Sequence, residues 1–347
     1  MKFTFPILTL CLGGAQRMLA EITNGLVERG HDVTILMPLQ GKVDYPIKAK
    51  LIRTNNTIQE RDYPKSDVII SNYYLTVPAA HEASQNGKGM HVRLSLCYEP
   101  TFLPDNHISF PTYYLTQHLI VLSRSQQHLI YVEHGIQGHI VHVGISSTFK
   151  NMHIRNNNSP LQISAIIRKP EGGFSWHREQ DYLLNHLAIV KKKHPEVLIN
   201  LISPPDEFNN SPALRELKAQ GNFKFFTPAN DKELCHHYNH TDIFVNSSIY
   251  DSASIPGLEA MRCGAAFVTT YNGGNLDYCR HEENALMSYR YENRLSHDIL
   301  RLIENQPLRS KLAVAGEKEA IKWTWDKSVN SFEQTIQKMI TLEKKNN

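Results

Sequence analysis

The sequence has few cysteines, no long apolar run and no strong excess of charge. None of the five cysteines forms a C-x-x-C pair, which argues against a disulfide framework or zinc site and fits small core residues in a reducing compartment. The net charge is only +3 over 347 residues, with +2 in residues 1–150 and +1 in the remainder, so charge is not concentrated in one part and nucleic acid is not an expected partner. No stretch approaches the ~18–20 apolar residues of a membrane span. With 41% hydrophobic and 20% charged residues, the composition is that of a globular chain with room for two domains.

The first 20 residues have a competing interpretation as a secretory signal, because Lys2 precedes an apolar stretch. Pro6 and Thr9 interrupt that stretch, and Gln16 and Arg17 occupy the place of a cleavage site. We therefore expect a cytoplasmic protein. A location at the inner face of the membrane is the alternative.

The N-terminal pattern predicts a β-α-β unit. An apolar run over residues 3–10 is followed by Gly13 and Gly14, then by helical spacing that stops at Gly30, and residues 31–37 form a second apolar run. A glycine pair after a strand lets a ligand approach the backbone closely, at the end of the sheet where open α/β folds bind ligands.

The most informative segment runs from Asp251 to Glu259 and places two carboxylates eight positions apart. The apolar run Ile243–Asn246 predicts a buried strand before it, and helical spacing predicts a helix that begins near Pro256. The unpaired N–H groups of a helix N-terminus suit phosphate. Glu259, in the first turn of that helix, is placed to accept hydrogen bonds from ribose hydroxyls.

This segment resembles the nucleotide-sugar signature of glycosyltransferase family 4, also called glycosyl transferases group 1. The signature reads roughly E-G-F-G-L-P-x-L-E-A-M-A-x-G-x-P-V-V, and the chain reads D-S-A-S-I-P-G-L-E-A-M-R-C-G-A-A-F-V from residue 251. It departs from the pattern at Asp251, where the family has Glu, and at Ser252, where it has Gly. Residues 226–234, 269–277 and 284–287 extend the likeness.

The resemblance implies an α/β protein with the GT-B fold, in which two Rossmann-like, doubly wound parallel-sheet domains face a cleft. The expected boundaries are residues 1–150 for the N-terminal, acceptor-side domain and 160–325 for the nucleotide-sugar-binding domain. Residues 326–347 are expected to form a helix that returns to the first domain. The polar stretch 151–160, with three consecutive asparagines, suits an exposed linker.

The resemblance also implies the residues of the site. Arg168 and Lys169 are expected to stabilise the leaving diphosphate, while Glu171 stands where the family has a lysine. No other cation is expected at a strand end facing the Asp251–Glu259 loop. The remaining residues of the predicted nucleotide-sugar site are Glu259, Asp251, Ser254, Ile255, Pro256, Gly257, Gly13 and Gly14.

A second cluster, Tyr98-Glu99-Pro100, resembles a segment of bacterial rhamnosyltransferase-type members of the same family. There Glu99 is a candidate catalytic residue that orients an acceptor hydroxyl or contacts the donor sugar. Its residue type equally suits a loop residue that caps a helix, and the sequence leaves both roles open.

The resemblance implies a retaining, hexosyl-type glycosyltransferase that uses a nucleoside-diphosphate sugar and a glycan or lipid-linked acceptor, as in bacterial surface polysaccharide or glycoconjugate synthesis. No metal or other cofactor is expected, because no metal motif stands in a suitable context. Nucleic acid is not an expected partner, and peripheral contact with a membrane is an option that the sequence leaves open. Two alternatives are an inactive nucleotide-binding or scaffold protein and a nucleotide-sugar epimerase or phosphorylase, all on the same fold.

Overall fold

The computed structural model describes residues 1–156 and 159–346. Two asparagines of the predicted linker, Asn157 and Asn158, lie outside the described residues. The strands, in chain order, are β1 Lys2–Pro6, β2 Asp32–Pro38, β3 Lys50–Thr54, β4 Val68–Ser71, β5 Met90–Leu94, β6 Leu119–Val121, β7 His139–Ile140, β8 Gln162–Ile166, β9 Leu198–Ile202, β10 Lys224–Phe226, β11 Ile243–Asn246, β12 Ala266–Thr270 and β13 Leu286–Ser288.

Helices lie between most of these strands and follow the last one. They are α1 Gly14–Glu28, α2 Val77–Gln85, α3 Glu99–Phe102, α4 Asn106–Ser109, α5 Arg124–His134, α6 Gln180–Lys193, α7 Pro205–Asn209, α8 Pro212–Ala219, α9 Asp231–His240, α10 Ile255–Arg262, α11 Leu295–Glu304, α12 Gln306–Ala320 and α13 Trp325–Asn346. Within the described part of the chain, no helix has both the length and the apolar character to cross a bilayer.

The chain divides into two compact units, residues 1–144 with 324–347, and residues 145–323. The first unit holds a parallel sheet of order β3-β2-β1-β4-β5-β6-β7, and the second a parallel sheet of order β10-β9-β8-β11-β12-β13. Alternation of strands and helices favours such sheets, because a parallel pair needs a crossover connection. The predicted fold class, with two doubly wound parallel sheets, is confirmed.

The central strands are buried on both faces, which explains why the sequence shows them as continuous apolar runs. In the first unit, Phe3 and Phe5 of β1 are almost fully buried. In the second unit, the residues of β12 are all buried, and Phe267 stacks on Phe244 of β11 with ring centroids 5.9 Å apart. Such strands hold the loops at their carboxyl ends in fixed positions.

The last helix, α13, packs on the first helix of the chain. Arg29, just after α1, pairs with Asp326 at 2.6 Å, and the ring of Phe332 stacks on Phe5 at 6.3 Å. Gly25 of α1 is a point of close approach, because an added Cβ would lie 2.5 Å from a methyl group of Val329. The C-terminal helix therefore belongs to the same compact unit as the N-terminal strands.

Candidate functional site

The loops of the candidate site in the second unit follow four neighbouring strands. Arg168 follows β8, helix α7 follows β9, the Asp251 loop follows β11, and Asn272 follows β12. These strands are parallel and adjacent, so their carboxyl ends share one edge of the sheet, the usual ligand-binding edge of open α/β folds.

Asp251 is fixed by its backbone and by one carboxylate oxygen. Its N–H donates to the carbonyl of Asn272 at 2.9 Å, and its own carbonyl accepts from the N–H of Gly274 at 2.8 Å. The Oδ1 atom accepts from the N–H groups of Ala253 at 3.2 Å and Ser254 at 3.0 Å. The aspartate therefore closes its own turn, and the carboxylate is oriented by the backbone.

Ser254 adopts a left-handed conformation, with φ 52° and ψ 49°, directly before α10. The hydroxyl oxygen accepts from the side-chain amides of Asn246 at 3.1 Å and Asn272 at 3.4 Å. The hydroxyl of buried Tyr278 donates to the Ser254 carbonyl at 2.8 Å. A non-glycine residue in this region is strained, and these hydrogen bonds hold it in place. Ser254 thus positions the start of α10.

Two glycines allow the loop to sit close to its neighbours. A Cβ on Gly274 would lie 2.4 Å from the backbone nitrogen of Ala253, and one on Gly257 would lie 2.5 Å from the ring of Phe267. Ile255 and Pro256 form the first, partly exposed turn of α10. The N–H groups of such a turn have no partner inside the helix and can meet a phosphate.

Glu259 lies one turn into α10 and is partly exposed. Its Oε2 atom accepts a long, 3.5 Å hydrogen bond from the hydroxyl of Tyr238. Burial raises the pKa of Tyr238, and the neighbouring Glu259 charge raises it further, so the tyrosine stays a neutral donor. This arrangement keeps a partly exposed carboxylate near the loop.

Arg168 is paired with Glu207 of α7. The Nε atom lies 2.8 Å from each carboxylate oxygen, and an Nη2 hydrogen bond completes a bidentate pair. Lys169, the second predicted cation, is exposed, and its backbone N–H also donates to Glu207 at 3.1 Å.

Glu171, which takes the place of the expected family lysine, has a separate role. Its carboxylate accepts from the Ser211 hydroxyl at 2.7 Å and from the Ala213 N–H at 3.1 Å. These contacts cap the start of α8. The carboxylate therefore serves the adjacent helix and is not a substitute for the missing cation.

The structure adds a cation that the sequence analysis missed. Arg178 is partly buried, and its carbonyl accepts from the hydroxyl of Ser247, just after β11, at 2.5 Å. Burial and the positive charge of Arg168 lower the pKa of Arg178, while the charge of Asp251 opposes them. Arg178 lies in the short turn Trp176–Arg178 before α6, whereas the sequence analysis looked for cations only at strand ends. The sequence marks Arg178 only by its position: it lies just before α6, five residues ahead of Leu183.

Arg178 has no side-chain hydrogen bond or ion pair with another residue among 1–156 and 159–346. An unpaired guanidinium that is partly desolvated is unfavourable unless an anion joins it. Its neighbour His177 is 8% exposed, and burial with the adjacent arginine charge lowers the pKa of the imidazole to about 4. Because His177 is neutral, the positive charge near the Asp251 loop comes from Arg168 and Arg178.

The predicted residues of the first unit have other surroundings. Glu99 is 1% exposed, and both its oxygens lie 3.0 Å from Nη2 of Arg93. The Tyr113 hydroxyl donates to it at 2.7 Å. The expected direct contact with a sugar hydroxyl does not match this burial, because every donor around the carboxylate is internal. Gly13 donates to the Tyr45 hydroxyl and accepts from it, at 3.0 and 3.1 Å, directly before Gly14 opens α1.

No group of three or more His, Cys, Asp or Glu within the described ranges is arranged to hold a metal ion. The predicted metal independence stays a prediction.

Part of the second unit is similar to a known protein family. Residues 172–319 match the family model described as glycosyl transferases group 1, a range that includes Arg178, Glu207, Asp251 and Glu259 and begins after Arg168. No curated protein sequence matches the chain significantly.

Solved structures match over nearly the whole length. Sucrose-phosphate synthase from Thermosynechococcus elongatus is 14% identical, with a TM-score of 0.78 over 98% of this chain and 99% of that chain. Anabaena HepE in complex with UDP-glucose is 15% identical, with a TM-score of 0.78 over 98% and 100%. WaaG, a glycosyltransferase involved in lipopolysaccharide biosynthesis, is 15% identical, with a TM-score of 0.71 over 95% and 98%. These likenesses identify the fold of the chain as GT-B.

Proposed function

We propose that this chain, whose residues 172–319 match the model of glycosyl transferases group 1, transfers a sugar from a nucleoside-diphosphate sugar to an acceptor hydroxyl. One observation carries the proposal: Arg178, which has no ion pair among residues 1–156 and 159–346, interacts electrostatically with the carboxylate of Asp251, whose loop leads into α10. Cations and a helix N-terminus suit a diphosphate, while oriented carboxylates suit hydroxyl groups.

The donor would lie along this edge of the sheet, and its ribose, diphosphate and sugar would each contact different residues. Glu259 would accept hydrogen bonds from the ribose diol, and the N–H groups of the Ile255–Gly257 turn would meet the diphosphate. Asp251 would contact the donor sugar through Oδ2, because its own turn uses Oδ1. Ser254 supports these groups, because its hydroxyl and carbonyl already have partners.

The chemistry breaks the bond between the anomeric carbon and a phosphate oxygen and forms one to the acceptor oxygen. With retention of configuration, the departing phosphate oxygen takes the acceptor's proton on the same face. Arg178 and Arg168 would stabilise the charge that develops on the diphosphate, which is the largest electrostatic demand of the step. In this proposal Arg178 supplies most of the positive charge, Arg168 contributes less because it is paired with Glu207, and no divalent ion is required.

The comparisons suggest which substrates to test first. The Anabaena structures contain UDP and UDP-glucose, so uridine-diphosphate hexoses are the first donors. WaaG is described as acting in lipopolysaccharide biosynthesis, so saccharide and lipid-linked saccharide acceptors of bacterial surfaces follow.

A thermal-shift screen with UDP-, GDP- and dTDP-sugars tests donor binding, since a ligand at about 100 times its Kd adds ~2.7 kcal/mol of stability. Donor hydrolysis without acceptor then tests the chemistry. The pairing of Arg168 with Glu207 favours an inactive nucleotide-binding protein as the second candidate. Such a protein would be stabilised without releasing nucleoside diphosphate, and an epimerase would return an altered nucleotide sugar. Stabilisation by none of the donors would contradict the proposal.

A further inference from the structure

Three tyrosines form an exposed row on the second unit. The exposed fractions are 41% for Tyr271, 43% for Tyr289 and 82% for Tyr291. The ring of Tyr289 stacks on that of Tyr271, with centroids 5.6 Å apart and planes 21° apart, and Tyr291 lies 5.6 Å further at 35°. These residues form the tyrosine platform. A group of exposed aromatic rings that contact one another is typical of a ligand-binding surface.

The tyrosine platform is held by rigid structure beneath it. Tyr271 and Tyr289 directly follow the paired strand ends of β12 and β13, and the Tyr271 N–H donates to the Ser288 carbonyl at 3.3 Å. Arg290 stands between Tyr289 and Tyr291. Its Nε pairs with Glu179 at 3.0 Å, and its guanidinium lies 3.8 Å from the ring centre of Tyr182. The rings are therefore presented without the entropy cost of ordering a mobile loop.

The tyrosine platform is continuous with the candidate donor loop. Tyr271 precedes Asn272, which binds the backbone of Asp251 and the hydroxyl of Ser254. The strand order β11-β12-β13 places the platform on the far side of Asp251, away from strands β8 and β9. A ligand extending from the proposed donor-sugar position along this edge meets the tyrosines next.

The chemistry of the tyrosine platform points to a sugar chain. The apolar C–H face of a pyranose covers an aromatic ring, and each phenol hydroxyl adds a donor and an acceptor at its edge. Charges of both signs, Arg290 and Glu292, flank the rings, so neither an anionic nor a cationic partner is favoured. We infer that the tyrosine platform binds the saccharide acceptor. The identification of that saccharide as the acceptor rests on the proposed function, whereas saccharide binding itself does not.

Retention on an array of oligosaccharides from bacterial capsules and lipopolysaccharides, without nucleotide, tests the inference. Wild-type protein should retain a subset of these glycans, and Tyr291→Ala and Tyr289→Ala should each lower affinity for them about tenfold through lost ring contact. Tyr291→Phe keeps the ring and should retain most of the affinity. Tyr131→Ala, which removes a 54% exposed tyrosine from α5 of the first unit, is the matched control and should have no effect.

The same variants separate this inference from the proposed function. UDP binding and donor hydrolysis should equal wild type, while the KM for a retained glycan rises about tenfold and kcat stays unchanged. Equal glycan retention by wild type and both alanine variants overturns the inference and leaves the proposed function standing. Absence of any retained glycan, or a change of oligomeric state in Tyr291→Ala, overturns it as well. Glycan retention without nucleotide binding would instead contradict the proposed function.

Discussion

The Arg168 guanidinium lies in a bidentate pair with the Glu207 carboxylate, at the edge of the sheet where a diphosphate is proposed to bind. Burial raises the pKa of Glu207, but the hydrogen bond and charge of Arg168 outweigh burial, so the pKa lies below its usual range. Glu207 is therefore ionised at neutral pH and neutralises Arg168. Arg178, with no ion pair in the described ranges, provides the uncompensated positive charge.

Glu207→Gln should tighten nucleoside-diphosphate binding by about fivefold at low salt, because a partly exposed charge opposing the phosphate is removed. Isothermal titration calorimetry with UDP at two ionic strengths measures this. Glu216→Gln removes an exposed carboxylate from neighbouring α8 and should leave affinity unchanged. Weaker binding in Glu207→Gln would show that the carboxylate is needed to orient Arg168.

Arg178→Ala should lower kcat by ~100-fold or more while donor KM changes less, since removal of a group that stabilises transition-state charge has that effect. Arg168→Ala should have a smaller effect, because Glu207 already compensates its charge. Lys224→Ala, at the amino end of β10, is the control for net charge. Activity should survive EDTA. Loss of activity on chelation that magnesium or manganese restores would contradict the two-arginine proposal.

Glu259→Gln should weaken UDP and UDP-sugar binding alike by ~1–3 kcal/mol, the range for a charge-assisted hydrogen bond. Asp251→Asn should lower turnover while UDP affinity stays near wild type, because its proposed contact is with the sugar. Calorimetry with UDP and steady-state kinetics of donor hydrolysis distinguish the two. An unchanged UDP affinity in folded Glu259→Gln would rule out the ribose assignment.

Gly274→Ala should destabilise the protein by ~1–3 kcal/mol through overpacking. The added Cβ would lie 2.4 Å from the Ala253 nitrogen, which cannot move without breaking the Asp251 turn. Thermal unfolding measures the loss, and UDP-sugar binding should fall with it. Gly87→Ala is the comparison variant: a Cβ there has open space, and the only expected cost is the strain of a positive φ, which Gly274 does not have. No loss of stability in Gly274→Ala would show that close approach is unimportant.

Buried His91 should make the protein sensitive to acid. Burial lowers the pKa of its imidazole to about 3, and Nε2 lies 2.8 Å from the hydroxyl of Ser71. Because the folded pKa is below the unfolded value, stability is complete above pH ~6.5 and falls as pH decreases towards the folded pKa. Between pH 7 and 5 this group alone should remove about 2 kcal/mol. Urea unfolding of His91→Asn should show a correspondingly shallower pH dependence, and an identical slope would contradict the assignment.

Much of the fold was predictable because its determinants are local. The apolar runs over 3–10 and 243–246 indicated buried parallel strands, and Pro256 with helical spacing indicated a helix that in fact begins at Ile255. The sequence analysis did not indicate the last strand of the first sheet, β7 His139–Ile140, which spans two residues and pairs with the short strand β6. Edge strands have one neighbour and little periodicity, so their boundaries are weakly encoded.

The sequence also predicted which residue types form the candidate site, but it did not predict which residues they contact. Asp251 and Glu259 were found by spacing, whereas the pairing of Arg168 with Glu207 joins residues 39 positions apart. Glu99 resembled a site residue by its neighbours in sequence, yet Arg93 and Tyr113 enclose it.

The sequence by itself determined the alternation of strands and helices, the parallel sheets and the loop that carries two carboxylates, because periodicity and glycine placement act within a few residues. Only the tertiary structure decided which cations are paired, which carboxylates are buried and that Arg178 interacts electrostatically with Asp251. Charge and accessibility depend on residues that are brought together from distant parts of the chain, and packing of the strand ends alone sets those distances.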